Sequence, residues 1–289
     1  MTRLSLWSRR LLLCLLLIPT ACTMPKIATQ KATINSWLCY YGDTFGPRDY
    51  EHFDLVVLDG INHPPLSHSR PGSPLLLAYL SVGEVDEDNP IWFQAKGQPY
   101  LLKKNKFWNS WLVDVRAPAW HREVMAAANR IFNQDKEFDG LFLDTFDSSL
   151  SLLTADPIRF AGTRQALRQI ILDLRRAHPG KLIAVNRGLP MLADIAKDIN
   201  FVVMEDLYSM YDSKRKKYIR VDAKSRDTLL QQAEIGRRLN PALTILSLDY
   251  AAPNQHRMTE EAFAFSRQHG FIPYVSTYKL DQIFFHPGL

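Results

Sequence analysis

Residues 138–147 have the sequence Phe-Asp-Gly-Leu-Phe-Leu-Asp-Thr-Phe-Asp, an apolar run that follows an Asp-Gly pair and ends in two carboxylates. An uninterrupted apolar run of this length is typical of a parallel strand that is buried on both faces. A carboxylate at the carboxyl end of such a strand costs free energy, and barrel enzymes place their catalytic acids at this position. The stretch therefore predicts a strand over 140–144 and makes Asp144 the first candidate for a catalytic residue.

Apolar runs of strand length recur throughout the chain from residue 36 onward. Several of them are separated by helical patterns, which is typical of a parallel sheet. In a body of about 250 residues this alternation predicts an α/β fold, a single (β/α)8 TIM barrel over residues 36–289. The runs cover residues 37–42, 55–60, 75–84, 111–115, 140–144, 182–186, 201–205, 244–250 and 271–276.

One of these runs must be an accessory strand, because the barrel has eight places for nine runs. The interval between residues 84 and 111 is polar and rich in aromatic residues, and it contains no convincing helical pattern. We therefore expect the run at 111–115 to lie outside the barrel. On this count Asp144 ends the fourth barrel strand and Glu205 ends the sixth.

Helical spacing is clearest over residues 118–134, and a second helix is predicted to start at Asp156, with Pro157 in its first turn. Shorter helices are predicted over 227–239 and 259–269. The apolar faces of the first two consist of Trp120, Val124, Ala128, Ile131 and Phe132, and of Leu167, Ile170, Ile171 and Leu174.

The amino terminus has the three zones of an export signal: arginines, an apolar run over 11–18, and Pro-Thr-Ala before Cys22. A cysteine after a small residue resembles the bacterial lipoprotein signal. This implies a signal peptide over 1–21, lipidation of Cys22 and a polar tether over 22–35. Thr23, in place of aspartate, favours the outer membrane as the destination. Ordinary secretion is the alternative.

Removal of the leader lowers the formal charge from +5 to about +2. The remaining charge is dispersed and forms no basic stripe with interleaved aromatic residues, which excludes nucleic acid as a partner. Cys39 lies in an apolar run and is expected to pack as a small hydrophobic residue. We expect a monomer.

Acidic residues stand at or just beyond the ends of most predicted strands, and these ends meet at one mouth of a barrel. Two opposed carboxylates are what cleavage of a glycosidic bond requires, one protonated and one ionised. We therefore take Asp144 and Glu205 as the candidate catalytic pair. The other candidates are expected to contact substrate at the mouth: Asp59, Glu84, Asp147, Asn186, Arg187, Tyr208 and Asp249. The rings of Trp92, Trp108, Tyr211 and Tyr250 also fall near the predicted mouth.

Other chemistries lack their usual signatures. The histidines show no metal-ligand spacing, and an acidic loop over 86–89 is better explained as solvated than as a calcium site. The chain has no Gly-rich phosphate loop and no nucleophilic serine elbow. We predict that no metal and no cofactor takes part.

Four segments together resemble family 114 glycoside hydrolases, the endo-α-1,4-polygalactosaminidases, and their bacterial barrel relatives. They are residues 79–84 (Tyr-Leu-Ser-Val-Gly-Glu), 111–116 (Trp-Leu-Val-Asp-Val-Arg), 138–147 and 203–205 (Val-Met-Glu). The resemblance implies that Asp144 is the nucleophile and Glu205 the acid/base. The family often has asparagine at the position of Thr145 and lysine at that of Val185.

The first hypothesis is a retaining endo-glycosidase that cleaves α-1,4-linked, galactosamine-rich polysaccharide of a biofilm or envelope. The alternative is an envelope lipoprotein that binds polysaccharide without cleaving it, because a fold alone does not determine function. A wide separation of Asp144 and Glu205, or a mouth plugged by residues 85–110, would favour the alternative. An exo-acting α-glycosidase is a third, weaker option.

Overall fold

A computed structural model describes residues 34–66 and 72–286. The predicted signal peptide, Cys22 and the tether up to residue 33 lie outside the described residues. Within the described part of the chain, no helix combines the length and the apolar character that a membrane span needs.

The described residues form strands β1 (Trp37–Tyr40), β2 (Leu55–Asp59), β3 (Leu75–Ser81), β4 (Glu84–Asp86), β5 (Leu101–Asn105), β6 (Ser110–Val113), β7 (Gly140–Asp144), β8 (Leu182–Asn186), β9 (Phe201–Glu205), β10 (Ser209–Asp212), β11 (Lys217–Arg220), β12 (Thr244–Tyr250) and β13 (Ile272–Ser276). The helices are α1 (Pro47–Tyr50), α2 (Trp92–Ala95), α3 (Pro118–Gln134), α4 (Phe146–Ala155), α5 (Thr163–Ala177), α6 (Leu192–Ile195), α7 (Ala223–Leu239) and α8 (His256–Gln268).

Eight strands form one sheet in the order β1-β2-β3-β7-β8-β9-β12-β13, and every neighbouring pair is parallel. The first and last strands meet where the Trp37 indole donates a hydrogen bond of 2.9 Å to the Ile272 carbonyl. The sheet is thus a nearly closed barrel with helices around it, which agrees with the predicted TIM barrel. Asp144 ends its fourth strand and Glu205 its sixth, as the sequence predicted.

The accessory strand is also confirmed, because β6 lies outside the barrel. It pairs antiparallel with β4 and β5 in a small sheet of three strands, which we call the accessory sheet. The interval that lacked a helical pattern is therefore an insertion between β3 and α3, with only the single turn α2 as a helix.

The predicted start of the second helix is wrong. Asp156 ends α4 instead, and α5 begins at Thr163 after Gly162, whose φ of 90° interrupts the helical path. Asp156 does accept a hydrogen bond from the Arg159 amide, as a helix cap would, but the turn that it stabilises does not continue. The serine-rich helix α4 was missed because its buried face is small.

The Asp-Gly pair at the start of β7 has a steric and a hydrogen-bonding function. The Asp139 carboxylate accepts the Leu76 amide at 2.9 Å and so joins the start of β7 to β3. A Cβ on Gly140 would lie 2.2 Å from the Leu182 carbonyl oxygen of β8. Glycine is therefore required for the close approach of these two strands.

Helix α3 holds the loop after β3 in place. Its buried face contains the five residues that the helical spacing predicted, together with Ala127. The Trp120 indole on this face donates a hydrogen bond of 2.7 Å to the Val82 carbonyl. Packing of α3 therefore positions the chain directly before Glu84.

We expect Gly140→Ala to lower the free energy of unfolding by at least about 1–3 kcal/mol, because the added methyl overlaps backbone atoms that cannot rotate away. Gly180→Ala is the matched control, because a Cβ there meets no atom within 4 Å. Urea unfolding of the two variants tests this. An equal effect of both substitutions would contradict the steric argument.

Candidate active site

A cavity of about 500 Å³ lies at the carboxyl ends of the barrel strands, a size typical of ligand sites. It contains most of the side chains that the sequence nominated. The accessory sheet and the loop after β13 form part of its wall. The nominated residues that line it are Asp59, Glu84, Asp144, Asp147, Asn186, Arg187 and Glu205.

The two candidate catalytic carboxylates share one hydrogen-bond donor. The Asn186 amide nitrogen lies 2.9 Å from Asp144 Oδ1 and 2.8 Å from Glu205 Oε2. The second oxygen of Glu205 accepts a hydrogen bond of 2.6 Å from the Tyr250 hydroxyl. We call Asp144 and Glu205 the carboxylate pair. Three adjacent strands, β7, β8 and β9, thus supply two acids and the amide between them.

Burial shifts the pKa of Asp144. Burial first, and then the charges of Glu205 and Asp147, raise the pKa of Asp144 to about 7. The hydrogen bond from Asn186 acts in the opposite direction, because it stabilises the ionised form. Asp144 therefore changes its protonation state near neutral pH, as a group with a role in proton or nucleophilic chemistry does.

The residues directly after the three strands have positive φ angles. They are Thr145 (66°), Arg187 (50°) and Asp206 (56°), all in a region that residues other than glycine seldom adopt. Such backbone conformations cluster at functional sites, where surrounding contacts hold them. For Thr145 the contacts are visible: its hydroxyl accepts the Gly83 amide at 2.6 Å and donates to the Asp144 carbonyl at 2.6 Å.

Arg187 joins three acids on one side of the cavity. Its Nε lies 2.9 Å from Asp147 and its Nη1 lies 2.7 Å from Asp206, with Glu205 at 4.0 Å. Burial and the charge of Glu205 raise the pKa of Asp206 to about 7, although Arg187 favours its ionised form. The guanidinium thus reduces the repulsion among acids that the mouth brings together.

Glu84 is 5 % exposed and is held by polar side chains of three elements, β5, β6 and α4. It accepts hydrogen bonds from Ser110 on β6, from Ser148 on α4 and, at 3.3 Å, from Asn105. These contacts place Glu84 at the junction between the accessory sheet and the barrel mouth. Asp59 also lines the cavity, and its Oδ1 accepts the amides of Ile61 and Asn62 at 2.8 Å.

The structure places Asp249 and Tyr208 outside the lining of this cavity. Leu248 and Tyr250 line it, so Asp249 between them points to the opposite face of β12. Its Oδ1 accepts the amides of Tyr208 and Ser209 at 2.6 and 2.8 Å, and burial raises its pKa to about 7. The Tyr208 hydroxyl donates to Glu261 on α8.

Several lining residues were missing from the sequence-based selection. Asp86 was interpreted as part of a solvated loop, yet it lines the cavity, and burial followed by the charge of Glu84 raises its pKa to about 6. Its position two residues after Glu84 on β4 was an available signal, because alternate strand residues share a face. Asp206, Phe107 and Tyr278 also line the cavity, and no local pattern indicated the last two.

Neither condition that would favour binding without cleavage is met. Asp144 and Glu205 both bond to a single amide, so they are not far apart. Residues 85–110 form part of the cavity wall and do not fill the cavity. The residues that they contribute are Asp86, Asn105, Phe107, Trp108 and Ser110.

We expect Asp144→Asn to stabilise the protein above pH 7 by on the order of 4 kcal/mol. The folded-state pKa of Asp144, about 7, lies above the ordinary value of 3.8 for an aspartate. Ionisation therefore destabilises the fold as the pH rises from about 4 to about 7, and asparagine removes this cost. Urea unfolding at pH 4 and pH 8 tests this, with the exposed Asp43→Asn as control. A gain of the same size at both pH values would contradict the ionisation argument.

Comparisons with known proteins agree with this geometry. The model of Glycoside-hydrolase family GH114 matches residues 20–288. The glycoside hydrolase domain of PelA from Pseudomonas aeruginosa is 28% identical with a TM-score of 0.74, and the match covers 87% of this chain and 98% of that one.

Aspergillus fumigatus Ega3, solved in complex with galactosamine, has the same fold at 10% identity. Its TM-score is 0.66, and the match covers 88% of this chain and 96% of that one. A search of curated proteins finds no match. The family match spans nearly the whole chain and includes both members of the carboxylate pair. The chain therefore belongs to glycoside hydrolase family GH114 and is a glycosidase.

Proposed function

We propose that the protein is a retaining endo-glycosidase that cleaves α-1,4-linked, galactosamine-rich polysaccharide. Asp144 is the nucleophile and Glu205 is the acid/base. The observation that carries this proposal is the shared contact of both carboxylates with the Asn186 amide nitrogen. The endo mode rests on the resemblance to endo-α-1,4-polygalactosaminidases.

The shared amide limits the distance between the two acids. Asp144 Oδ1 and Glu205 Oε2 both lie within 2.9 Å of one nitrogen, so these oxygens can be at most twice that distance, about 5.8 Å, apart. Retaining glycosidases have carboxyl groups about 5–5.5 Å apart, whereas inverting enzymes need about 6.5–9.5 Å to fit a water molecule. The geometry supports direct attack by a carboxylate.

The reaction proceeds in two steps with one proton donor. Glu205 protonates the glycosidic oxygen while Asp144 attacks the anomeric carbon, which forms a glycosyl-enzyme ester and releases the leaving chain. Glu205 then takes a proton from water, and the water oxygen displaces Asp144. Asp144 must be ionised to attack, and a cationic sugar bound beside it lowers its pKa.

The charge of the cavity supports an amino sugar as substrate. Its wall contains Asp59, Glu84, Asp86 and Asp147 in addition to the carboxylate pair, and opposite charge attracts a cationic ligand into a low-dielectric cleft. Ega3, which has the same fold, was solved with galactosamine. Both observations favour a polymer that carries free amino groups.

We also propose that the protein is an exported lipoprotein anchored through Cys22, with secretion as the alternative. Ile34 lies just before β1, at the amino ends of the parallel strands. The cavity lies at their carboxyl ends. The described chain therefore begins at the end of the barrel opposite the cavity.

We expect Asp144→Asn and Glu205→Gln each to lower reducing-sugar release from α-1,4-linked galactosamine polymer by at least about 10³-fold. Asp43→Asn and Glu234→Gln are matched controls on exposed sites and should retain the rate. NMR should show that the newly formed reducing end is the α anomer at first, because two displacements retain the configuration at the anomeric carbon. A β product would contradict the retaining mechanism.

An activated substrate with a good leaving group separates the two roles. Such a substrate needs no acid assistance in the first step, so Glu205→Gln should accumulate the ester, and mass spectrometry should locate it on the peptide that contains Asp144. No release by the unmodified protein, combined with retention of the polymer, would instead support binding without cleavage.

We expect Cys22→Ser to abolish incorporation of labelled fatty acid and to move the protein from the membrane fraction to the soluble exported fraction. Cys39→Ser is the control, because Cys39 is fully buried in the barrel and should leave lipidation unaffected. Absence of label in the unmodified protein would favour ordinary secretion.

A further inference from the structure

Four aromatic rings line the cavity in one continuous series, which we call the aromatic ridge: Phe107, Trp108, Tyr211 and Tyr278. The ring centroids of Trp108 and Phe107 are 4.6 Å apart, and those of Phe107 and Tyr278 are 6.3 Å apart. Tyr278 and Tyr211 stack at 4.0 Å with an angle of 8° between their planes. The ridge is therefore one connected apolar surface.

The ridge is assembled from three segments that lie outside the barrel strands. Phe107 and Trp108 belong to the turn between β5 and β6, Tyr211 lies on β10, and Tyr278 follows β13. The carboxylate pair comes instead from β7 and β9. The ridge and the pair thus belong to different structural elements of one cavity.

Packing alone does not account for the ridge. Phe107 and Trp108 remain 50 % and 55 % exposed, although burial would stabilise such large apolar rings. Trp92 and Trp111, on the same insertion, stack with each other at 6.1 Å and pack against the core. The insertion therefore partly buries one aromatic pair and leaves the other exposed beside the cavity.

The turn that carries the exposed pair is held by the polar network of the cavity. Asn105 Oδ1 accepts the Phe107 amide at 3.2 Å, and Asn105 Nδ2 donates to Glu84 at 3.3 Å. Asn109 completes the turn with a φ of 56°. The backbone that carries both rings is therefore held before any ligand arrives, which reduces the entropic cost of binding.

A pyranose ring has the chemistry that fits this surface, with C–H groups on its faces and polar groups on its edges. We propose that the aromatic ridge binds a sugar unit remote from the scissile bond and that Trp108 determines the preference for long polysaccharide chains. This inference rests on the proposed function, because it takes the carboxylate pair as the point of cleavage. Remote binding energy of this kind supports reaction at the pair.

Polymer affinity in the Glu205→Gln background tests the proposal without requiring hydrolysis. Affinity electrophoresis in gels that contain α-1,4-linked galactosamine polymer should show about tenfold weaker binding for Trp108→Ala, which corresponds to about 1.4 kcal/mol. Trp108→Tyr should restore most of the affinity, because it keeps a flat ring. Phe93→Ala is the matched control, since Phe93 is 85 % exposed on the same insertion and does not line the cavity.

Kinetics with Glu205 intact provide the second measurement. Trp108→Ala should lower kcat/KM on the polymer about tenfold more than on an aryl glycoside with one sugar, mainly through KM. Equal losses on both substrates, unchanged polymer affinity, or the same loss in Phe93→Ala would overturn the inference. If the unmodified chain binds but does not cleave the polymer, the proposed function fails, whereas an affinity loss in Trp108→Ala still supports the ridge.

Discussion

The mouth of this barrel depends on holding two carboxylates close together in a buried position. Mutual repulsion and loss of hydration both oppose this arrangement, as the pKa of about 7 for Asp144 indicates. The Asn186 amide reduces the cost by donating to both acids, and Tyr250 donates to Glu205 from the next strand. Conversion of the shared amide to any group without two donor hydrogens would remove a hydrogen bond from one of the two acids. This contact limits the separation of the two acids.

The barrel backbone makes the arrangement possible. Close strand approach at Gly140 and positive φ angles at Thr145, Arg187 and Asp206 place side chains from three strand ends in one small volume. The residues with positive φ angles have different roles. Thr145 connects the end of β7 to the loop after β3 by a hydrogen bond, whereas Arg187 forms ion pairs with the surrounding acids. The buried core beneath the mouth stabilises the fold and so offsets the free-energy cost of backbone strain and charge repulsion there.

The accessory sheet adds to the barrel what the strand ends do not provide. It supplies Glu84 and Asp86 to the acidic wall and carries Phe107 and Trp108 beside the cavity. An acidic wall would attract the amino groups of a sugar polymer, whereas an aromatic surface would contact the faces of its sugar rings. In the proposed function the insertion contributes to substrate recognition, while the barrel strands hold the reacting groups.

Sequence alone determined the barrel strands, their order along the chain, and the placement of Asp144 and Glu205 at the ends of the fourth and sixth barrel strands, because strand patterns and strand-end acids are local signals. Successive side chains of a strand point to opposite faces. Because Tyr250 faces the cavity, this alternation along β12 could also have excluded Asp249 from the cavity. Tertiary structure alone decided the Asn186 bridge and the assembly of the aromatic ridge from three segments. Each of these depends on segments that are distant in the chain and meet only when the barrel closes, and no local pattern encodes such a contact.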